Sequence, residues 1–192
     1  MHIKSIIATY PRSGKTFFIS TLAYSTLIQL PYTHLHEGET ENILDEYKNI
    51  ITIIRNPIDC LSSLITMEYF YYLDLQNLYE NNLNFFIENK IKPRIQQYEN
   101  FYEIMLRRSN IIISFESLIQ NTENTIKKIS DCLNLEIKKN DFKNYTQDKS
   151  SVNFLKTSQN QKIYPEILKI IESQNLNKSE SLYNQLKEKV NI

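Results

Sequence analysis

Glycine is nearly missing from this chain: Gly14 and Gly38 are the only two among 192 residues. Few positions can therefore turn left-handed or let a ligand approach the main chain closely, so where those two fall is informative. Tryptophan is absent, and cysteine is reduced to Cys60 and Cys132, far apart in the chain. That spacing excludes a disulfide framework and a cysteine-rich zinc site. Excess charge of one sign is missing too, since 22 Lys plus Arg balance 22 Asp plus Glu. A duplex-DNA or RNA binder normally carries a basic surplus to neutralise phosphates. No run approaches the ~20 apolar residues that span a bilayer. The apolar start, ending at Ala8, is too short for a signal-peptide core. These absences lead us to expect a cytoplasmic protein that engages neither nucleic acid nor membrane.

What is present is ordinary globular material, 41% hydrophobic and 23% charged. There is no repeat, linker or low-complexity tract, so residues 1–192 are expected to form one domain. Lys4 to Ala8 reads as a short β-branched strand, and a loosely amphipathic helix follows from Lys15 to about Leu30. Asn49 to Ile54 is a continuous apolar run of the kind buried on both faces of a parallel sheet. It stops at Arg55-Asn56-Pro57-Ile58-Asp59, where Asn56 can cap a helix and Pro57 suits its first turn. That helix is predicted to run to about Leu73, with a longer helical region from about Leu75 to Arg108. Asn110 to Ser114 reads as another buried strand, Asn121 or Thr122 caps a helix reaching Cys132, and Pro165 to Val190 holds two more. Strands alternating with helices predict an α/β fold: a mostly parallel central sheet flanked by helices in three layers.

The first chemical motif is Thr9-Tyr10-Pro11-Arg12-Ser13-Gly14-Lys15-Thr16, which links the first strand to the first helix. Backbone N–H groups, a glycine and a helix N-terminus together make an anion cradle. Arg12 and Lys15 add charged donors, and Ser13 and Thr16 add hydroxyls. Gly14, one of the two glycines, sits where main chain and phosphate would come closest. Gly14-Lys15-Thr16 completes the end of a Walker A pattern, but Thr9 stands where its leading glycine belongs. A kinase or ATPase also needs a carboxylate after a buried strand to hold magnesium. Here that position is Arg55, which suits a second phosphate.

Taken together, Thr9 to Phe17 and Arg55-Asn56-Pro57-Ile58-Asp59-Cys60-Leu61-Ser62-Ser63 resemble the two signature segments of the sulfotransferases that use 3′-phosphoadenosine 5′-phosphosulfate (PAPS). The resemblance implies that the first segment holds the 5′-phosphosulfate, and that Arg55 and Ser63, eight positions on, hold the 3′-phosphate. It places Arg12 where the family has a lysine that stabilises the departing oxygen, and Phe17 where a tryptophan stacks on adenine. Tyr32-Thr33-His34-Leu35 is similar to the family's Lys-Thr-His-Leu segment, which makes His34 the general base. The transfer requires one, because the acceptor must lose its proton as its oxygen attacks sulfur. Ile111 to Leu118 is similar to the family strand ending in Tyr-Glu-Asp-Leu, with Phe115 at the nucleotide-contacting tyrosine. The family's closing Arg-Lys-Gly segment has no counterpart, since no glycine follows Gly38; Lys149 or Lys156 with Thr157 and Ser158 can substitute. Lys15, where the family has threonine or serine, adds a second cation toward the transferring sulfate.

The resemblance implies a P-loop-like fold and sulfuryl transfer from PAPS, without a metal, to a hydroxyl or amine of a small-molecule or saccharide acceptor. A P-loop kinase or ATPase, and a nucleotide-binding protein without catalysis, are the alternatives. Other features have plainer readings. The acidic stretch of Glu37, Glu39, Glu41, Asp45 and Glu46 is a solvated face. Met67, Tyr69, Phe70, Tyr71 and Tyr72 are core and surface filler rather than an acceptor pocket. Lys90, Lys92, Arg94, Arg107 and Arg108 form a mixed-charge exposed face.

Overall fold

A computed structural model describes residues 4–33, 35, 41–140 and 158–192. Four strands, β1 (Ser5–Ala8), β2 (Tyr32–Thr33), β3 (Asn49–Ile54) and β4 (Ile111–Ser114), pair in the order β2-β1-β3-β4, every pair parallel. Apolar residues on both faces explain the unbroken runs. Ile6, Ile50, Ile54 and Ile112 enter one core, while Ile7, Ile51, Ile53, Ile111 and Ile113 enter the other. This is period-two alternation with both faces covered, as parallel sheets require.

The first core packs α2 (Pro57–Tyr71), α5 (Lys92–Arg108), α8 (Ser158–Glu172) and α9 (Asn177–Glu188) on one side of the sheet. The second packs α1 (Lys15–Thr26), α6 (Phe115–Gln120) and α7 (Thr122–Leu133) on the other. The three-layer α/β reading holds. The helix after Asn56 forms as its residues dictate: Asn56 Oδ1 accepts from the N–H of Ile58 at 3.0 Å and Pro57 occupies the first turn.

Boundaries differ in several places. Helix α1 ends at Thr26, because Leu27 turns left-handed at φ 60° and closes it. The long helical region divides into α3 (Leu73–Asn81), α4 (Leu83–Phe86), a π-helical turn (Ile87–Ile91) and α5. Asn82 caps α4, and the π turn leads into Pro93, which has no N–H to give the preceding turn. Pro165 lies inside α8 instead of starting it.

The topology makes the site. From β1 the chain crosses through α1 to β2 on one side, and from β3 it crosses through α2–α5 to β4 on the opposite side. Between β1 and β3 the connections diverge, and in open α/β sheets such a switch point is where a ligand crevice forms, beyond the carboxyl ends of the strands. The loops after β1 and after β3 both border it.

Candidate active site

The loop after β1 is drawn tight by its own backbone. Arg12 has φ 64° and Gly14 φ 99°. Ser13 is buried, and its Oγ donates to the Tyr10 carbonyl at 2.6 Å. Gly14 begins α1, and its carbonyl accepts from Phe18 N–H at 2.9 Å. A Cβ at Gly14 would lie 2.9 Å from Phe115 Cδ2, closer than carbon atoms tolerate. Conformation and space therefore both demand glycine there. At the head of the loop the buried Thr9 Oγ1 has no hydrogen-bond partner among the described residues.

Side chains from the two sequence motifs meet across the β1–β3 crevice. Arg12 Nε donates to Ser63 Oγ at 3.0 Å, and Arg55 Nη1 donates to the Arg12 carbonyl at 2.8 Å. Arg55 lies over the Phe115 ring, 4.5 Å from its centroid, and Lys15 Nζ lies 4.6 Å from that of Tyr32. Partial burial, then the charge of Arg55, pulls the Arg12 guanidinium below its ordinary range. The mutual repulsion of the two cations would be relieved by an anion between them. Among the described residues no carboxylate forms an ion pair with Arg55.

Of the residues singled out by sequence, Arg12, Ser13, Gly14, Arg55, Ser63 and Phe115 gather at this crevice. Thr16 is exposed, and Phe17 packs beside Phe115 against the second core. His34, Glu37, Gly38 and Glu39, like Lys149, Lys156 and Thr157, lie outside the described residues. Parts of the two charged faces pair at the surface: Arg107 and Arg108 reach Glu41, and Arg108 also reaches Asp45. Arg94 grips Glu68 through two bonds of 3.2 and 2.5 Å. Tyr72 of the aromatic run lines a cleft of about 390 Å³ beside that pair, with Lys90 and Gln97.

The supporting residues were not legible in the sequence. Cys60 Sγ donates to the Pro11 carbonyl at 3.1 Å, bracing the loop from α2. Tyr10, Tyr98 and Tyr102 form a buried ring cluster beneath it, with Tyr10 Oη donating to the Arg94 carbonyl at 3.0 Å. Burial pushes the Cys60 thiol up to about 12, against the pull of Arg55 and Arg12. Burial also raises all three tyrosines.

The folded protein keeps these protons where the unfolded chain, with cysteine near 8.5 and tyrosine near 10, loses them. The unfolded state then binds fewer protons, so stability falls as pH rises. We expect urea midpoints to hold up to about pH 8 and decline from about pH 9, with a steeper fall above about pH 10. Tyrosinate absorbance should show a fraction of the rings ionising only on unfolding. In the native state a thiol reagent should modify exposed Cys132 and spare Cys60. A midpoint that stays flat to pH 11 would contradict this account.

Among the described residues no helix is long and apolar enough to cross a membrane. No curated protein matches the chain. The family model of the sulfotransferase domain matches residues 21–189. The matched span begins in the middle of α1 and contains Arg55, Ser63 and Phe115, so it leaves out the β1 loop. With a four-stranded parallel sheet flanked by helices and a family match over most of the chain, the protein belongs to the sulfotransferase domain family.

Proposed function

We propose that the protein transfers a sulfuryl group from PAPS to a hydroxyl or amine of a small-molecule or saccharide acceptor. The observation that carries this reading is the linkage of Arg12, Ser63 and Arg55, which joins the two phosphate-type loops into one cationic site. The residues fit a nucleotide that is anionic at both ends: a left-handed glycine turn opening a helix, two arginines linked through the Arg12 carbonyl, and the ring of Phe17 beside them.

PAPS supplies the activated sulfuryl group. The N–H groups of the Ser13–Thr16 turn would hold the 5′ end, with Ser13 Oγ available only if it leaves the Tyr10 carbonyl. Arg12 and Lys15 would stabilise the charge that builds on the departing phosphate oxygen as the sulfur–oxygen bond breaks. Arg55 and Ser63 would hold the 3′-phosphate, and His34 would take the acceptor proton as the new bond to sulfur forms. Lys156 would serve as a further cation toward the nucleotide. Such chemistry needs no metal, and Arg55 stands where a kinase would place a magnesium-binding carboxylate.

Titration calorimetry tests the donor. Adenosine 3′,5′-bisphosphate should bind at least tenfold more tightly than ATP with magnesium. Tighter, magnesium-dependent ATP binding would overturn the reading in favour of a kinase or ATPase. Transfer of labelled sulfate from PAPS across a panel of phenols, amines and saccharides then tests catalysis.

A further inference from the structure

Strand β3 forms its last pairing at Ile54 with Ser114, so Arg55 stands just past the ladder. Its carbonyl still needs a donor. That donor is Tyr98 of α5, whose Oη reaches the Arg55 carbonyl at 2.9 Å. One helical turn on, Tyr102 Oη donates to the Ile53 carbonyl at 3.0 Å. Both rings are buried, with centroids 4.5 Å apart. Four residues of separation put both hydroxyls on one face of α5, against the end of the strand.

Arg55 is thereby held at three points. Tyr98 fixes its carbonyl, the Arg12 carbonyl receives its Nη1, and Phe115 lies beneath its guanidinium. The last two belong to the site itself, whereas Tyr98 acts from the opposite end of the residue. Without its hydroxyl the ring would still pack, but the Arg55 carbonyl would lose its donor and the strand end would be free to tilt. A charged group that binds an anion through directed hydrogen bonds loses affinity when displaced by a fraction of an ångström.

We propose that Tyr98 is a positioning residue for anion recognition: its hydroxyl fixes the backbone from which Arg55 reaches the 3′-phosphate, and so sets selectivity for a 3′-phosphorylated nucleotide. The inference rests on the reading of Arg55 given under the proposed function. Selectivity is the ratio of affinities for adenosine 3′,5′-bisphosphate and adenosine 5′-phosphate, both measured by calorimetry. Tyr98→Phe should lower that ratio by about 5- to 10-fold, as expected from one hydrogen bond, and leave adenosine 5′-phosphate affinity within about twofold. Tyr102→Phe, which removes a neighbouring buried hydroxyl from the same helix, should leave the ratio unchanged. Tyr102 also interacts with Ser13, but any effect on the loop is shared by both nucleotides and cancels. In an Arg55→Ala background, adding Tyr98→Phe should not change the ratio further.

A wild-type ratio in Tyr98→Phe overturns the proposal. An equal drop in both tyrosine variants overturns it too, since the effect would then be general loosening of the fold. A wild-type protein that does not distinguish the two nucleotides refutes the Arg55 reading and this proposal with it, before any variant is made. If Tyr98→Phe does not fold in buffer, the same ratios are measured for all proteins in trimethylamine N-oxide, which favours the compact state.

Discussion

His34→Ala is expected to lower sulfuryl transfer by about 10²- to 10⁴-fold while nucleotide affinity stays within a few-fold. The size follows from the chemistry. An acceptor hydroxyl is a poor nucleophile until its proton is removed, and no other histidine or carboxylate takes this place in the family resemblance. The chain neighbours of His34 are anchored: Thr33 and Leu35 are buried, and Thr33 Oγ1 accepts from the Leu35 N–H at 3.0 Å. Thr33 also closes β2, which pairs with β1 at Ala8, just before the loop that carries Arg12 and Gly14. Single-turnover transfer from PAPS, with affinity for adenosine 3′,5′-bisphosphate measured in parallel, separates a lost base from a lost nucleotide site. Turnover within tenfold of wild type would remove His34 as the base. A matched loss of nucleotide affinity would move it from chemistry to binding.

Arg55→Ala should weaken adenosine 3′,5′-bisphosphate binding by about 1.5–3 kcal/mol, roughly 10- to 150-fold. A charged hydrogen bond is worth this much, and here the partly buried guanidinium is oriented by the Arg12 carbonyl and the Phe115 ring before any ligand arrives. Arg55→Lys keeps the charge but neither the planar fork nor the stacking, so it should fall between wild type and Arg55→Ala. The salt dependence of binding should become shallower in Arg55→Ala, because one fewer cation meets the nucleotide. Unchanged affinity for the 3′,5′-bisphosphate would exclude Arg55 from the site.

Much of the local design was legible in the residues alone. Asn56 and Pro57 announce a helix start because capping depends on a side chain and a backbone a few residues apart. Gly14 announces a tight loop because only glycine tolerates that backbone without cost. The apolar run through Ile54 announces a strand covered on both faces, and the strand–loop–helix succession announces a parallel sheet. That Arg12, Arg55 and Ser63 act together was also expected from sequence, through motif spacing and resemblance, and the three are linked in the fold; their phosphate role is the proposal.

Other features depended on which segments meet after folding. Placing β3 beside β1, with crossovers on opposite faces, is what brings Arg12 against Ser63 and Arg55 against the Arg12 carbonyl. Cys60, Tyr98 and Tyr102 gave no sequence signal, because each serves a backbone carbonyl far away in the chain. Any of the 13 tyrosines could have held such a place. The breaks between α3 and α5 were likewise hidden, since the region's helix-forming pattern continues across Asn82 and Pro93. The scarcity of glycine shows the same division. Sequence alone determined that Gly14 belongs to a tight strand-to-helix turn, because backbone conformation is a local property. Only the tertiary structure decided that Phe115, a hundred residues later, would leave no room for a Cβ there, because contact across a crevice is settled by how the layers pack.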